Sequence, residues 1–318
     1  MDLNIAGAAS APADAHLAQE AAARLFRSVR AGRKWLLSRA ATAAAKPNSA
    51  CAEMKPGNDS PPMFLIPGAP GSILQLGPIA AAMTGPMPVY AVRPRGLEEG
   101  ETPCETIREM AGYAIAQIKK LRPRGPYPLV GYSAGGLVAL EMAQQLAASG
   151  DEVPLLVLLD TYPSRAVWPL ACHAEILGRQ VFRALWALRR FGPVSLVREV
   201  ARRIRSLAGY LSASGVSVLP PPPLVAEGVS AASRRVHLAS YNAGEAYRPS
   251  PYAGKVLFVQ PREVPNLEPR TPSLVWRKFL RDLEIRRVPG SHLGMVDDGA
   301  AAIGECLSQF TAFGGSKS

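Results

Sequence analysis

The chain has 318 residues and a formal net charge of +11; 48% of its residues are apolar and 19% are charged. That apolar content fills a substantial core and excludes wholesale disorder, and the length suits one large α/β domain or about two small ones. No apolar run approaches the ~18 residues needed to span a bilayer, which argues against integral membrane association. The four cysteines, Cys51, Cys104, Cys172 and Cys306, are widely spaced and form no Cys-x-x-Cys pair, so neither a zinc knuckle nor a disulfide framework is expected. A reducing cytoplasm is the compartment they imply. The first 20 residues carry Asp2, Asp14 and Glu20 but no Lys or Arg, the reverse of a signal peptide's basic start. The positive balance suits an acidic partner, and the lack of a nucleic-acid-binding motif, with few aromatics beside the basic runs, argues against DNA or RNA.

Residues 1–60 read as an N-terminal extension. They are Ala-rich, with a basic stretch from Arg24 to Arg39 whose Leu25, Phe26, Val29, Trp35 and Leu36 have helical spacing. The Pro-, Asn-, Ser- and Gly-rich run from Lys46 to Pro62 reads as a linker. The basic helix suits docking on a partner or a membrane surface, but its weak apolar side fits a plain solvated helix better. From Met63 short apolar runs recur at 63–66, 88–92, 128–132, 155–160, 255–260 and 283–288, each bounded by Pro, Gly or charge, as buried parallel strands are. Helical patterns are predicted at 104–121, 134–148 and 299–311. The alternation predicts an α/β fold, a mostly parallel central sheet with helices on both faces. Residues 165–250 interrupt it. They hold one helical stripe at Leu177, Val181, Leu185 and Leu188, another at Leu196, Val200, Ile204 and Leu207, the stiff run Pro220 to Pro223, and a third predicted helix over 229–243. A helical insertion of this size between two strands predicts a lid.

The sharpest local feature is Gly131-Tyr132-Ser133-Ala134-Gly135, directly after a predicted strand and directly before a predicted helix. This is the context of a nucleophile elbow, in which small residues let the chain turn sharply and lift the serine above the sheet edge. A serine hydroxyl needs a base. Of the four histidines, His16, His173, His237 and His292, only His292 follows a late strand, on the same sheet edge as Ser133. A carboxylate must orient the imidazole. Asp160 closes the apolar run Leu155 to Leu159; Glu263, beyond the next strand, is the competing acid. Both give the chain order serine, acid, histidine of α/β-hydrolases. Ala134 contributes the backbone N–H that follows the nucleophile. In the loop Pro67-Gly68-Ala69-Pro70-Gly71-Ser72, Ala69 is a better second donor than Pro70, which has no N–H.

Residues 62–312 resemble the thioesterase domains of nonribosomal peptide and polyketide synthases. The resemblance is carried by Pro67 to Ser72, Val89 to Leu97, Gly125 to Gly136, Leu158 to Pro163 and Tyr247 to Val256. It implies an α/β-hydrolase domain over residues 61–318 with a helical lid at 165–250, and a triad of Ser133, Asp160 and His292, favouring Asp160 over Glu263. The family usually has Gly where this chain has Pro70. No adenylation, condensation or carrier domain is visible in the sequence, which suits a free-standing thioesterase or a piece of a larger synthase.

The expected reaction is acyl transfer from a carrier protein's phosphopantetheine thioester to water or to an internal nucleophile. Ser133 attacks, His292 takes its proton, and the N–H groups of Ala69 and Ala134 hold the oxyanion; no metal or soluble cofactor is required. Two rivals share these residues: a lipase or esterase of small free esters, and a catalytically silent fold that binds carriers or acyl chains. Between Tyr162 and Ser250 there are 12 Arg, no Lys and four Glu. That concentration of charge suggests an acidic carrier as partner, with Arg179, Arg183, Arg202 and Arg203 off the apolar stripes and available to it.

Overall fold

The computed structural model describes residues 50–190 and 230–312, apart from residues 70, 99, 266 and 267. Seven strands form one sheet: β1 (Cys51–Lys55), β2 (Met63–Ile66), β3 (Val89–Val92), β4 (Leu129–Tyr132), β5 (Leu156–Leu159), β6 (Tyr252–Glu263) and β7 (Leu280–Ser291), in the order β1-β3-β2-β4-β5-β6-β7. All neighbours are parallel except β1, which runs antiparallel to β3 at the edge. The seven described helices are α1 (Gly77–Ala82), α2 (Ile107–Leu121), α3 (Ala134–Ala148), α4 (Leu170–Arg190), α5 (Ala231–Ala246), α6 (Pro272–Trp276) and α7 (Ala300–Ala312). None of them is long and apolar enough to cross a membrane.

The strands read as unbroken apolar runs because both faces of the sheet are covered. On β2, Phe64 and Ile66 enter one core cluster, with Leu129, Leu156, Phe258 and the apolar residues of α2 and α3. Their neighbours Met63 and Leu65 enter the other, with Val130, Val157, Leu257, and Ile303 and Leu307 of α7. Thr106 caps α2 by accepting from the Glu109 N–H at 3.1 Å, and Lys119 and Lys120 complement the dipole in its last turn.

The linker reading of residues 46–62 fails at 51–55, which form β1, so the sheet begins before residue 61. Cys51 and Met54 are buried by pairing against β3. A single edge strand of mixed polarity gives little signal without its partner. The insertion between β5 and β6 contributes α4 and α5. The predicted stripe at 196–207, Pro220 to Pro223, and the N-terminal basic stretch lie outside the described residues. The first part of α4 buries Cys172 and Ile176 in the core. Farther on, Leu177, Val181, Phe182 and Trp186 are exposed, so the described part of the first stripe is not packed inward as a core face would be.

Because the parallel strands run one way, the segments that follow β2, β3, β4, β5, β6 and β7 gather at one sheet edge. The order reverses beside β2: β3 lies on one side of it and β4 on the other. A crevice opens at such a switch point, outside the carboxyl ends of the strands.

Trp276 of α6 is fully buried, and its indole N–H donates to the Thr161 carbonyl at 3.1 Å, just beyond β5. Trp276→Ala is expected to lower unfolding stability by about 3–5 kcal/mol, read from urea titration. Trp276→Leu, which restores part of the volume without the donor, should recover part of that loss.

Candidate active site

Ser133 stands between β4 and α3 with φ 54° and ψ −125°. Positive φ is uncommon for a residue with a side chain and persists where the surroundings over-determine it. Here the Ser133 N–H donates to the Leu159 carbonyl at 2.9 Å, while the Ser133 carbonyl accepts from the Gly136 N–H at 3.0 Å and the Thr161 hydroxyl at 3.1 Å. A Cβ on Gly131 would lie 2.4 Å from the Gly135 carbonyl oxygen, and one on Gly135 would lie 2.3 Å from the Pro67 carbonyl oxygen. Only glycine permits this turn against the loop after β2.

Asp160 follows β5, also at positive φ (44°), with its N–H donating to the Val259 carbonyl at 2.9 Å. Its side chain is buried, and its Oδ2 lies 2.8 Å from Nδ1 of His292. With the carboxylate as acceptor, Nδ1 carries the proton and Nε2 of the neutral ring is left as the basic nitrogen. His292 is clamped from a second side by Tyr132, whose ring stacks on the imidazole with centroids 5.2 Å apart and whose hydroxyl donates to the His292 carbonyl at 2.8 Å. Burial pushes the Tyr132 phenol far up, so it stays a donor. Tyr132 immediately precedes Ser133, so one turn of chain holds the serine and braces the histidine. Among the described residues no hydrogen bond joins Ser133 Oγ to His292; such bonds are often long until substrate is bound.

The competing acid, Glu263, is exposed at the end of β6, in register with Ser291, while the imidazole turns to Asp160. A carboxyl the sequence did not flag, Glu268, belongs to the same charge cluster. Burial, then the Asp160 charge, raises its pKa to about 7, with His292 and Arg165 pulling the other way. Its backbone carbonyl accepts from the Arg179 guanidinium, which also lies 3.7 Å from the Glu175 carboxylate. Arg179 is therefore engaged inside the protein, contrary to its expected availability on the surface. Arg202, Arg203 and Pro70 lie outside the described residues. His173 is on α4 and His237 on α5, away from the Asp160 carboxylate that His292 takes.

Gly68 lies against the elbow, where an added Cβ would meet the Ser133 Cβ at 3.1 Å. The backbone N–H groups of Ala69 and Ala134 have no acceptor among the described residues, and both residues line one cleft at the switch point. Two unpaired N–H groups beside a serine at a helix N-terminus suit a developing oxyanion. No group of three or more His, Cys, Asp or Glu that could hold a metal occurs among the described residues.

Residues 61–218 match the thioesterase domain family. The matched region belongs to that family. Over 233 residues the chain is 29% identical to a dimodular nonribosomal peptide synthase of Bacillus subtilis (strain 168), an alignment covering 71% of this chain and 9% of the synthase. The chain thus spans less than a tenth of that relative's length. The thioesterase domain of NocB from the nocardicin cluster shares the fold with a TM-score of 0.52 at 22% identity, over 80% of this chain and 94% of that one. The type II thioesterase BorB from the borrelidin biosynthetic cluster does so with a TM-score of 0.55 at 20% identity, over 84% of this chain and 99% of that one. The thioesterase domain is thus an α/β-hydrolase domain of the kind found in nonribosomal peptide synthetases.

In this thioesterase domain, burial opposes the His292 charge, but the hydrogen bond and charge of Asp160 and the charge of Glu268 outweigh it and raise the pKa above the ordinary 6.5. The imidazole therefore stays protonated to a higher pH than a free histidine and becomes a base only above that point. A proton NMR titration of the His292 ring should give a midpoint above 6.5. Asp160→Asn and Glu268→Gln each remove a negative neighbour and should move the midpoint down, Asp160→Asn by more.

Proposed function

We propose that the protein releases an acyl, peptidyl or polyketide chain from the phosphopantetheine thioester of a carrier protein through a Ser133–His292–Asp160 acyl-enzyme mechanism. The observation that carries this reading is the 2.8 Å contact of His292 Nδ1 with the buried Asp160 carboxylate, with His292 braced by the residue that precedes Ser133. Family membership and the sheet-edge position of all three residues support it.

In this reading His292 Nε2 takes the Ser133 proton as Oγ attacks the thioester carbonyl. Asp160 holds the ring in the Nδ1–H tautomer and stabilises the imidazolium that forms. The Ala69 and Ala134 N–H groups receive the charge that builds on the carbonyl oxygen. The imidazolium protonates the departing sulfur, though a thiol of pKa near ~8.5 is already a good leaving group. Water activated by His292, or a nucleophile within the chain itself, then releases the acyl group from Ser133. These steps use only side chains and backbone, so the proposal includes no metal or soluble cofactor. The helical insertion, with α4 and α5, acts as the lid, and its basic surface receives an acidic carrier, with Arg183 a remaining candidate. Four buried thiols, none of them in a disulfide, fit a cytoplasmic setting.

The test is turnover of acyl-loaded carrier proteins, with products identified by mass spectrometry. Ser133→Ala should lower kcat by at least about 10³-fold and abolish fluorophosphonate labelling in folded protein. Asp160→Asn should cost about 10³–10⁴-fold by disturbing the tautomer, whereas Glu263→Gln should change kcat less than about threefold, as a solvated surface substitution does. Retention of a tenth of the activity by Ser133→Ala, or faster turnover of simple esters than of carrier-bound thioesters, would refute the proposal.

A further inference from the structure

The cleft beside Ser133 carries polar groups that the proposed reaction does not use. One wall holds the oxyanion donors: Gly68 and Ala69 after β2, and Ala134 at the start of α3. Another is formed by Arg93, Pro94 and Arg95 after β3, Cys104 ahead of α2, and Met110 and Tyr113 of α2, with Val236 and Ser240 of α5 completing the lining. Ile66, Val92, Ile107, Ala114 and Val138 make much of the interior apolar. Pockets of this kind orient a ligand by a few convergent polar groups.

The charged residues among those lining the cleft are both arginines. Arg93 is committed, with its guanidinium 2.8 Å from the Glu98 carboxylate. Arg95 has no ion pair or hydrogen-bond acceptor among the described residues, and the half-buried Tyr113 hydroxyl likewise has no partner there. The nearby Glu101 carboxylate is turned to the chain, accepting from the Gly96 and Glu98 N–H groups, and Glu109 accepts from the Glu105 N–H. Two unused donors, the exposed Arg95 and the half-buried Tyr113, thus lie on a mostly apolar cleft that also holds the oxyanion donors.

We infer that this cleft binds an extended chain whose far end is an anion, held by Arg95 and Tyr113 while its thioester carbonyl lies at Ser133. The inference rests on the acyl-transfer reading of Ser133 and adds the substrate class. β3 lies two strands from β4. Two strand spacings make about 10 Å, the span of an extended chain of roughly eight atoms. A carboxylate ending the acyl chain and the phosphate of the pantetheine arm share the required chemistry; the carboxylate of a chain of about eight atoms reaches that far fully extended, whereas the phosphate, about 14 atoms from the sulfur, does so only with the arm folded back.

The test compares octanoyl and 7-carboxyheptanoyl thioesters of N-acetylcysteamine, which differ only in the terminal carboxylate, and octanoyl-pantetheine with octanoyl-phosphopantetheine, which differ only in the phosphate. Each pair is read as a ratio of kcat/KM, anionic over neutral. A ratio of about ten or more in one pair, falling toward one in Arg95→Gln and lowered in Tyr113→Phe, is expected; it matches what one charge-assisted contact contributes. The pair that responds identifies the anion. Arg108→Gln, on the exposed side of α2 and outside the cleft lining, should leave the ratio as it is. Ratios near one in both pairs, or an equal drop in Arg108→Gln, would overturn the inference while leaving thioester hydrolysis intact. The same pairs are also titrated calorimetrically onto Ser133→Ala and Ser133→Ala/Arg95→Gln. If no thioester is turned over, the acyl-transfer reading fails, and the Kd ratios still decide whether Arg95 selects the anion.

Discussion

The site depends on how closely three pieces of backbone approach one another at the elbow. β4 must turn into α3 while the loop after β2 and the residues after β5 press in from either side. An added Cβ on Gly131, Gly135 or Gly136 would overlap Gly135, Pro67 or Thr161, the last at 1.9 Å from its hydroxyl oxygen. Ser133 takes the backbone conformation left over, at φ 54°. Its strain is held by hydrogen bonds to Leu159, Gly136 and Thr161, which belong to the same crossing. The Ala134 N–H is left without an acceptor among the described residues for the same reason: α3 begins immediately after the turn, before the helix can pair it.

A second layer grows from that crossing. Thr161 ties the elbow to the end of β5, Asp160 precedes it, and Trp276 of α6 caps the Thr161 carbonyl from below. Tyr132 reaches across to His292. Buried polar groups are costly unless paired, and here most are paired in a way that also sets their direction. The carboxylate faces Nδ1, and the phenol fixes the backbone at the ring's own residue. The charges nearby do not balance symmetrically. Asp160 and Glu268 both favour a charged imidazole, and burial resists it. Glu268 is itself drawn toward neutrality by burial and by Asp160. Both Glu268 and His292 therefore answer to the one carboxylate between them, and changing Asp160 shifts both.

The topology explains why the cleft lies where it does. Where β3 and β4 leave β2 in opposite directions, no crossing segment fills the space beyond the strand ends. The cleft inherits its walls from whatever follows those strands: glycines and unpaired N–H groups after β2 and β4, arginines after β3. The insertion reaches it through Val236 and Ser240 of α5, while the exposed apolar residues of α4 lie on a different part of the insertion.

The sequence by itself determined the elements that carry their own signal. Strands β2 to β5 were legible because burial on both faces makes each a solid apolar run between breakers. The elbow was legible because tight backbone contact leaves only small residues possible around Ser133. His292 was legible from its place after a late strand. Edge strand β1 was not, since only Cys51 and Met54 of its five residues are buried and its pairing with β3 exists only in three dimensions. The choice between Asp160 and Glu263 rested on resemblance until the fold turned the imidazole toward Asp160. Tyr132 as the brace of His292, Glu268 as a member of the charge cluster, and the pairing state of Arg179, Arg93 and Arg95 were decided by tertiary structure alone. Each depends on contacts between residues far apart in the chain, across strands whose sequence records their burial but not their neighbours.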